Sequence, residues 1–277
     1  MYRSFRVELS KLGHWPAFWA LLALWAALAA IFGYVSQYLA YLTPAAGVSM
    51  AQQQATLAAM LPSGVVGKAI PGYPLFGGLI ALTLGALTTG SEFSWGTWTT
   101  ILVQNPARVR VVVGKLGALL VAVACQVLVG FGVAGIASLF VAVAQKQPIA
   151  APAASDLVVG LGVAWLILMA WATLGAVLAT VLRSAALPLG IGFAYLLIER
   201  LIASLADRSD VIATIARLLP GTNAGSLATS ILPAGFAVSA PGMNNLVAGP
   251  VAAAVLAAYV IAAGALTCAV IARRDVR

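Results

Sequence analysis

The sequence predicts an all-α integral membrane protein with six transmembrane helices, and three observations carry that prediction. The 277 residues are 62% hydrophobic and only 8% charged, with mean hydropathy +1.04, whereas a soluble domain carries about 25% charge to face water. The few charges gather between apolar runs or at their ends, Glu199 and Arg200 being the exceptions. The runs themselves each approach or exceed the ~20 residues a helix needs to cross a ~30 Å hydrocarbon core. The formal net charge of +8 comes from fifteen cations spread along the chain, without the dense patch that nucleic acid requires, so no nucleic-acid partner is expected. Cys125 and Cys268 both fall inside apolar runs and read as small packing residues, not as a disulfide or metal site.

Residues 1–16 form a polar lead in which Tyr2, Phe5, Leu9 and Leu12 recur at helical spacing, with Arg3, Arg6 and Ser10 on another face. The lead is either a helix lying in the headgroup region or a basic flank that orients the first span. That span is 17–41, too long without a charge to be the apolar region of a cleaved signal peptide. Trp15 and Trp19 stand at its start and Tyr34, Tyr38 and Tyr41 near its end, as rings do at the two interfaces. The three tyrosines also share a helical face that could line a path.

Residues 43–71 are small and polar, with Gln52, Gln53 and Gln54 and a single charge, Lys68. The second span is 72–90, and its Gly77, Gly78 and Gly85 permit close helix contacts. A polar interruption, 91–115, comes next. It carries Glu92, then Arg108, Arg110 and Lys115, around a break at Pro106. The third span is 110–144, the fourth 157–182, and the fifth, 185–203, begins after a very short turn at Arg183. Glu199 and Arg200 lie near the far end of the fifth span, where they can pair or snorkel to headgroups. Residues 207–245 are broken by Pro220, Pro233 and Pro241, too interrupted to span and too apolar for a free loop. They read as short helices on, or dipping into, the outer leaflet. The sixth span is 246–272, stopped by Arg273 and Arg274.

Six spans put both termini on one side. That side holds Arg3, Arg6, Lys11, Arg108, Arg110, Lys115, Arg183, Arg273, Arg274 and Arg277, whereas the two shorter opposite loops hold Lys68 and Lys146. The bias predicts a cytoplasmic-membrane protein with both termini and residues 91–115 in the cytoplasm. The chemistry is sparse. The single His14 precedes the first span, and there is no HExxH, carboxylate pair or metal cluster, so the chain itself is not expected to be an enzyme. Gly67-Lys68 and Gly114-Lys115 lack the spacing and the following Ser or Thr of a phosphate-binding loop. If the chain belongs to a pump, another subunit supplies the energy.

Glu92, Gly96-Thr97, the run to Leu102, Pro106, Arg108 and Gly114-Lys115 resemble the E…GT…L…P.R…GK pattern of type-2 ATP-binding-cassette (ABC-2) transporter permeases. An amphipathic N-terminal lead, six spans and a broken outer segment resemble that family along essentially the whole chain. The resemblance implies an N-terminal interfacial elbow helix and a cytoplasmic coupling helix at 91–106, docked on a separate ATPase through Glu92, Phe93, Trp95, Gly96, Thr97, Trp98, Ile101 and Leu102. It also implies pairing with a second permease copy as a homodimer, two ATPase subunits that hold ATP and Mg, and export as the direction. In such families spans one, two and five line the shared interface. Here they offer Ser36, Gln37, Tyr38, Thr83 and Thr88 but no charge apart from Glu199 and Arg200 near the far end of span five, which suits a hydrophobic or amphipathic substrate: a drug, peptide, lipid or glycan. A non-transporting anchor, sensor or immunity component coupled to the same ATPase is the alternative. On the residues alone, Gly96 fits a close backbone approach, and Arg108, Arg110 and Lys115 would pin the start of span three at the membrane surface.

Overall fold

The structure, a computed structural model, describes residues 2–97, 108–232 and 240–273. Six helices in it are long and apolar enough to cross a membrane: Pro16–Leu42, Pro62–Ser94, Arg108–Ala144, Ala154–Leu182, Leu187–Arg208 and Gly249–Arg273. These are the six spans the hydropathy predicts, each shifted at its ends. Among the described residues, four shorter helices lie between or before them: α1 (Tyr2–His14), α2 (Met50–Met60), α3 (Asp210–Leu218) and α4 (Pro220–Ser230).

Spans two and four form the centre. Their most apolar windows are 61% and 50% enclosed, against 22% for the first, fifth and sixth. They can lie so close because glycine faces backbone on both sides. A Cβ at Gly85 would sit 1.8 Å from the carbonyl oxygen of Ala172, and one at Gly175 would sit 2.0 Å from that of Leu82. Lipid tails are as apolar as leucine, so such close contact is what drives helices together in a bilayer.

Buried polar groups knit spans one, two and three. The indole N–H of Trp25 donates to the Gln126 carbonyl at 2.9 Å, and the Tyr73 hydroxyl donates to that of Val127 at 2.9 Å. The Gln126 amide donates to the Gly77 carbonyl at 2.9 Å. Each bond satisfies a group that would otherwise be stranded in an apolar interior.

Three regions differ from the sequence reading. Residues 43–71 are not a plain polar loop. Ser49 caps α2 with a capping box to Gln52, and the chain then runs through Pro62 into span two, burying Met60, Val65 and Ile70. Tyr34 is buried in the bundle and does not face outward as a belt residue would; it lies in a π-helical stretch, Ile31–Val35, a turn that re-aims a helix face. Glu199 is 3% exposed and forms no ion pair with Arg200. Its carboxylate accepts the Thr222 N–H at 2.6 Å, at the start of α4, where unpaired amides and the helix dipole favour an anion. The segment between spans five and six does form short helices, α3 and α4, with α4 packed against the sixth span.

Candidate functional site

The end of span two, the start of span three and helix α1 meet in one corner. Lys115 is 1% exposed in span three. Its ammonium donates to Glu92 Oε1 at 2.6 Å and to Glu8 Oε1 at 2.9 Å. Lys11, on α1, donates to the same Glu92 oxygen at 2.5 Å and lies 3.9 Å from Glu8. Among the described residues, two acids and two cations therefore meet in a largely buried pocket. Buried charges are tolerated when paired and hydrogen-bonded in this way. Glu92 Oε2 has no hydrogen-bond partner among the described residues.

The local sequence explains the geometry. α1 presents Glu8 on the same stripe as Phe5 and Leu12, at spacings of three and four, and this stripe faces span three. Gly114 lets α1 come close: a Cβ there would stand 2.9 Å from the Ser4 side chain. The Gly114-Lys115 pair thus combines a flat seat for α1 with the cation that its Glu8 requires.

Span two ends just beyond the cluster in a Schellman turn. The Gly96 N–H donates to the Phe93 carbonyl at 3.3 Å and the Thr97 N–H to that of Glu92 at 3.0 Å. Gly96 itself has φ +65°, the left-handed region that a side chain disfavours.

Several expectations change accordingly. Glu92 lies in the final turn of span two, wholly buried, and does not begin a separate helix. Gly96 serves the turn, and a Cβ there would meet nothing within 4 Å in this chain. Lys115 is an internal ion-pair partner, not a surface pin, although Arg110 is exposed as a pin would be. Phe93 packs with Val111, Val112 and Ile271, tying span two to spans three and six. Trp95 is 60% exposed and meets Trp15 edge-on at 6.4 Å. Thr97 is half-buried. Trp98, Ile101, Leu102 and Pro106 lie outside the described residues.

Among the described residues, no hydrogen bond links two of the expected pathway residues. Ser36, Thr83 and Thr88 turn their hydroxyls back onto carbonyls of their own helix, those of Phe32, Leu79 and Leu84. Tyr38 accepts from the Gln145 amide at 2.9 Å. Gln37 alone of the five reaches a large cavity, where it accepts from Lys68.

Glu8 and Lys11 were not legible as site residues from hydrophobic spacing alone. One signal was there: an acid on the apolar stripe of an amphipathic helix needs a buried cation, and Lys115 is an unusual residue to find a turn or two inside a span.

The six spans define a class, the all-helical multi-pass membrane proteins. More particularly, residues 23–277 match DUF2705, described as a protein of unknown function, and the chain belongs to that family. No curated protein matches it.

Proposed function

We propose that the chain is the permease subunit of an ABC transporter, working as a homodimer with two separate ATPase subunits and moving a hydrophobic or amphipathic substrate outward across the cytoplasmic membrane. The observation that carries this reading is the Glu8–Lys115–Glu92–Lys11 cluster. It locks α1, the end of span two and the start of span three into one unit, immediately before residues 98–107. On this reading α1 is the elbow helix and the segment after span two is the coupling helix. A push on that segment by a partner would reach α1 and spans two and three together, because pulling any one away would leave a charge buried and unpaired. Such a push does work only if ATP-bound and ATP-free states favour different arrangements of the spans.

The outward apolar faces support a second copy or lipid as neighbours. Phe193, Leu197 and Leu201 of span five and Ile31, Val35 and Leu39 of span one are all exposed.

The test is co-purification. The full chain should bring down an ATPase from its native host, and Trp95→Glu, Trp98→Glu and Leu102→Glu should each release it while the permease stays in the membrane. Retention of the ATPase by all three variants overturns the docking reading. In proteoliposomes, hydrolysis without substrate movement would move the assignment to the anchor or sensor alternative.

A further inference from the structure

We infer that the cavity between span one, helix α2 and the beginning of span two binds an amphipathic anion, its head on Lys68 and its tail along the aromatic wall. The cavity measures about 1040 Å³, at the upper end of the ~300–1,000 Å³ typical of small-molecule sites. It exists because alanine and glycine predominate among the residues around it. Four features meet there.

The first is an unneutralised cation. Lys68 is partly buried, and its one hydrogen-bond partner among the described residues is the neutral amide oxygen of Gln37. Among the described residues no Asp or Glu lines the cavity, and none of the ion pairs includes Lys68. An ammonium offers three donors, and taking it out of water without a counter-charge is costly. The charge calls for an anion.

The second is the tail's surface. Trp25, Phe32, Tyr73 and Phe76 line the cavity, and Phe32 stacks on Phe76 at 4.9 Å. Phe32 is also 52% exposed, so the apolar wall continues to the outside of the bundle.

The third is backbone geometry. Both π-helical stretches among the described residues, Ile31–Val35 and Tyr73–Gly77, border this one cavity and supply Phe32, Tyr34, Tyr73 and Phe76 to it. Such π-turns recur at functional sites because they re-aim a helix face at a cost in regular hydrogen bonding. The fourth is position. Lys68 sits near the polar beginning of span two, beside helix α2, while the aromatic wall runs inward along the spans. Head and tail are thus placed as in a membrane amphiphile. The site belongs to this chain alone and does not depend on an ATPase partner.

Native mass spectrometry of the purified, delipidated full chain tests it, with four probes: oleate, oleyl alcohol, phosphatidic acid and diacylglycerol. At least one anion should be retained roughly 10- to 100-fold more tightly than its neutral analogue, the range expected for a hydrogen bond to a charged group. Preference for phosphatidic acid would identify a phosphate head drawn from membrane lipid, and preference for oleate a free carboxylate; either supports the site. Lys68→Gln should erase the anion's advantage and leave neutral binding unchanged, while Lys68→Arg should keep it. Ala58→Trp, placed on the exposed side of the cavity wall, should lower binding of anionic and neutral probes alike. All three variants are compared at equal monodispersity and thermal stability. Equal retention of charged and neutral probes by the unmodified chain, or an undiminished preference in Lys68→Gln, overturns the proposal.

Discussion

At the scale of single residues, Lys115 is the group whose removal should cost most. It is buried between two carboxylates, and Lys11, the other cation, is 37% exposed in its side chain. Lys115→Met would leave Glu8 and Glu92 without the buried cation that lies between them, a change that costs about 3–5 kcal/mol at buried pairs. Adding Glu8→Gln and Glu92→Gln should recover most of that loss, since a well-packed neutral replacement of a buried ion cluster is often no less stable. Thermal unfolding in a mild detergent reads both outcomes, and a triple variant no more stable than Lys115→Met would show that shape, not charge balance, matters there. Gly96 gives a smaller effect of a different origin. Gly96→Ala should cost about 1–2 kcal/mol for a side chain in the left-handed region, and Gly96→Asn less, because Asn tolerates that conformation. The residues of this corner were legible in the sequence to unequal degrees. Gly96 and Glu92 stood out as breaks in apolar monotony, but their roles were not visible: a Schellman turn depends on φ, and an ion cluster depends on a helix, α1, whose docking face periodicity put about one position off. Glu8 was hidden for that reason.

Among the elements, the crossing of spans two and four should be the least tolerant. Gly85→Leu would drive its side chain into the Ala172 backbone, which cannot swing aside as a flexible side chain can. Overpacking a core costs about 1–3 kcal/mol when side chains absorb it, and more is expected here because two helix axes must separate. Gly132→Ala and Gly135→Ala lie in span three with nothing near their added Cβ and should leave expression and monodispersity unchanged. Measuring membrane yield and size-exclusion profile for all three decides it; a monodisperse Gly85→Leu would mean the crossing is looser than its geometry. The spans themselves were readable because hydrophobic length is set by the bilayer. The glycines in span two announced close packing but not its partner, since Gly175 lies far along the chain in span four. Residues 43–71 misled for a related reason. Small polar residues normally mark a loop, yet here capping by Ser49 and the buried side chains of Met60 and Ile70 hold most of them, from Met50 onward, as helix against the bundle. Their small size is what leaves the Lys68 cavity open.

For the whole molecule, orientation is the property on which the functional reading depends most, and it rests on the loop cations. Lys11 and Lys115 are paired with Glu8 and Glu92 in the folded chain, which on a net-charge rule would weaken the count. It does not, because the bias acts on short loops during insertion and is not a rule about net charge; acids contribute little to it. The terminal side should therefore be cytoplasmic, and cysteine accessibility tests this directly. Cys125 and Cys268 are free and half-buried, so a Cys125→Ala, Cys268→Ala background removes the intrinsic thiols with little expected loss. In that background Ala46→Cys and Ala150→Cys occupy exposed positions in the loops after spans one and three. A membrane-impermeant maleimide should label both on intact cells. Ala186→Cys, in the turn between spans four and five, should react only after permeabilisation. The inverse pattern would put α1, the ion cluster and the end of span two outside the cell, out of reach of any ATP-hydrolysing partner. It would end the transporter reading while leaving the six-span fold and the Lys68 cavity untouched.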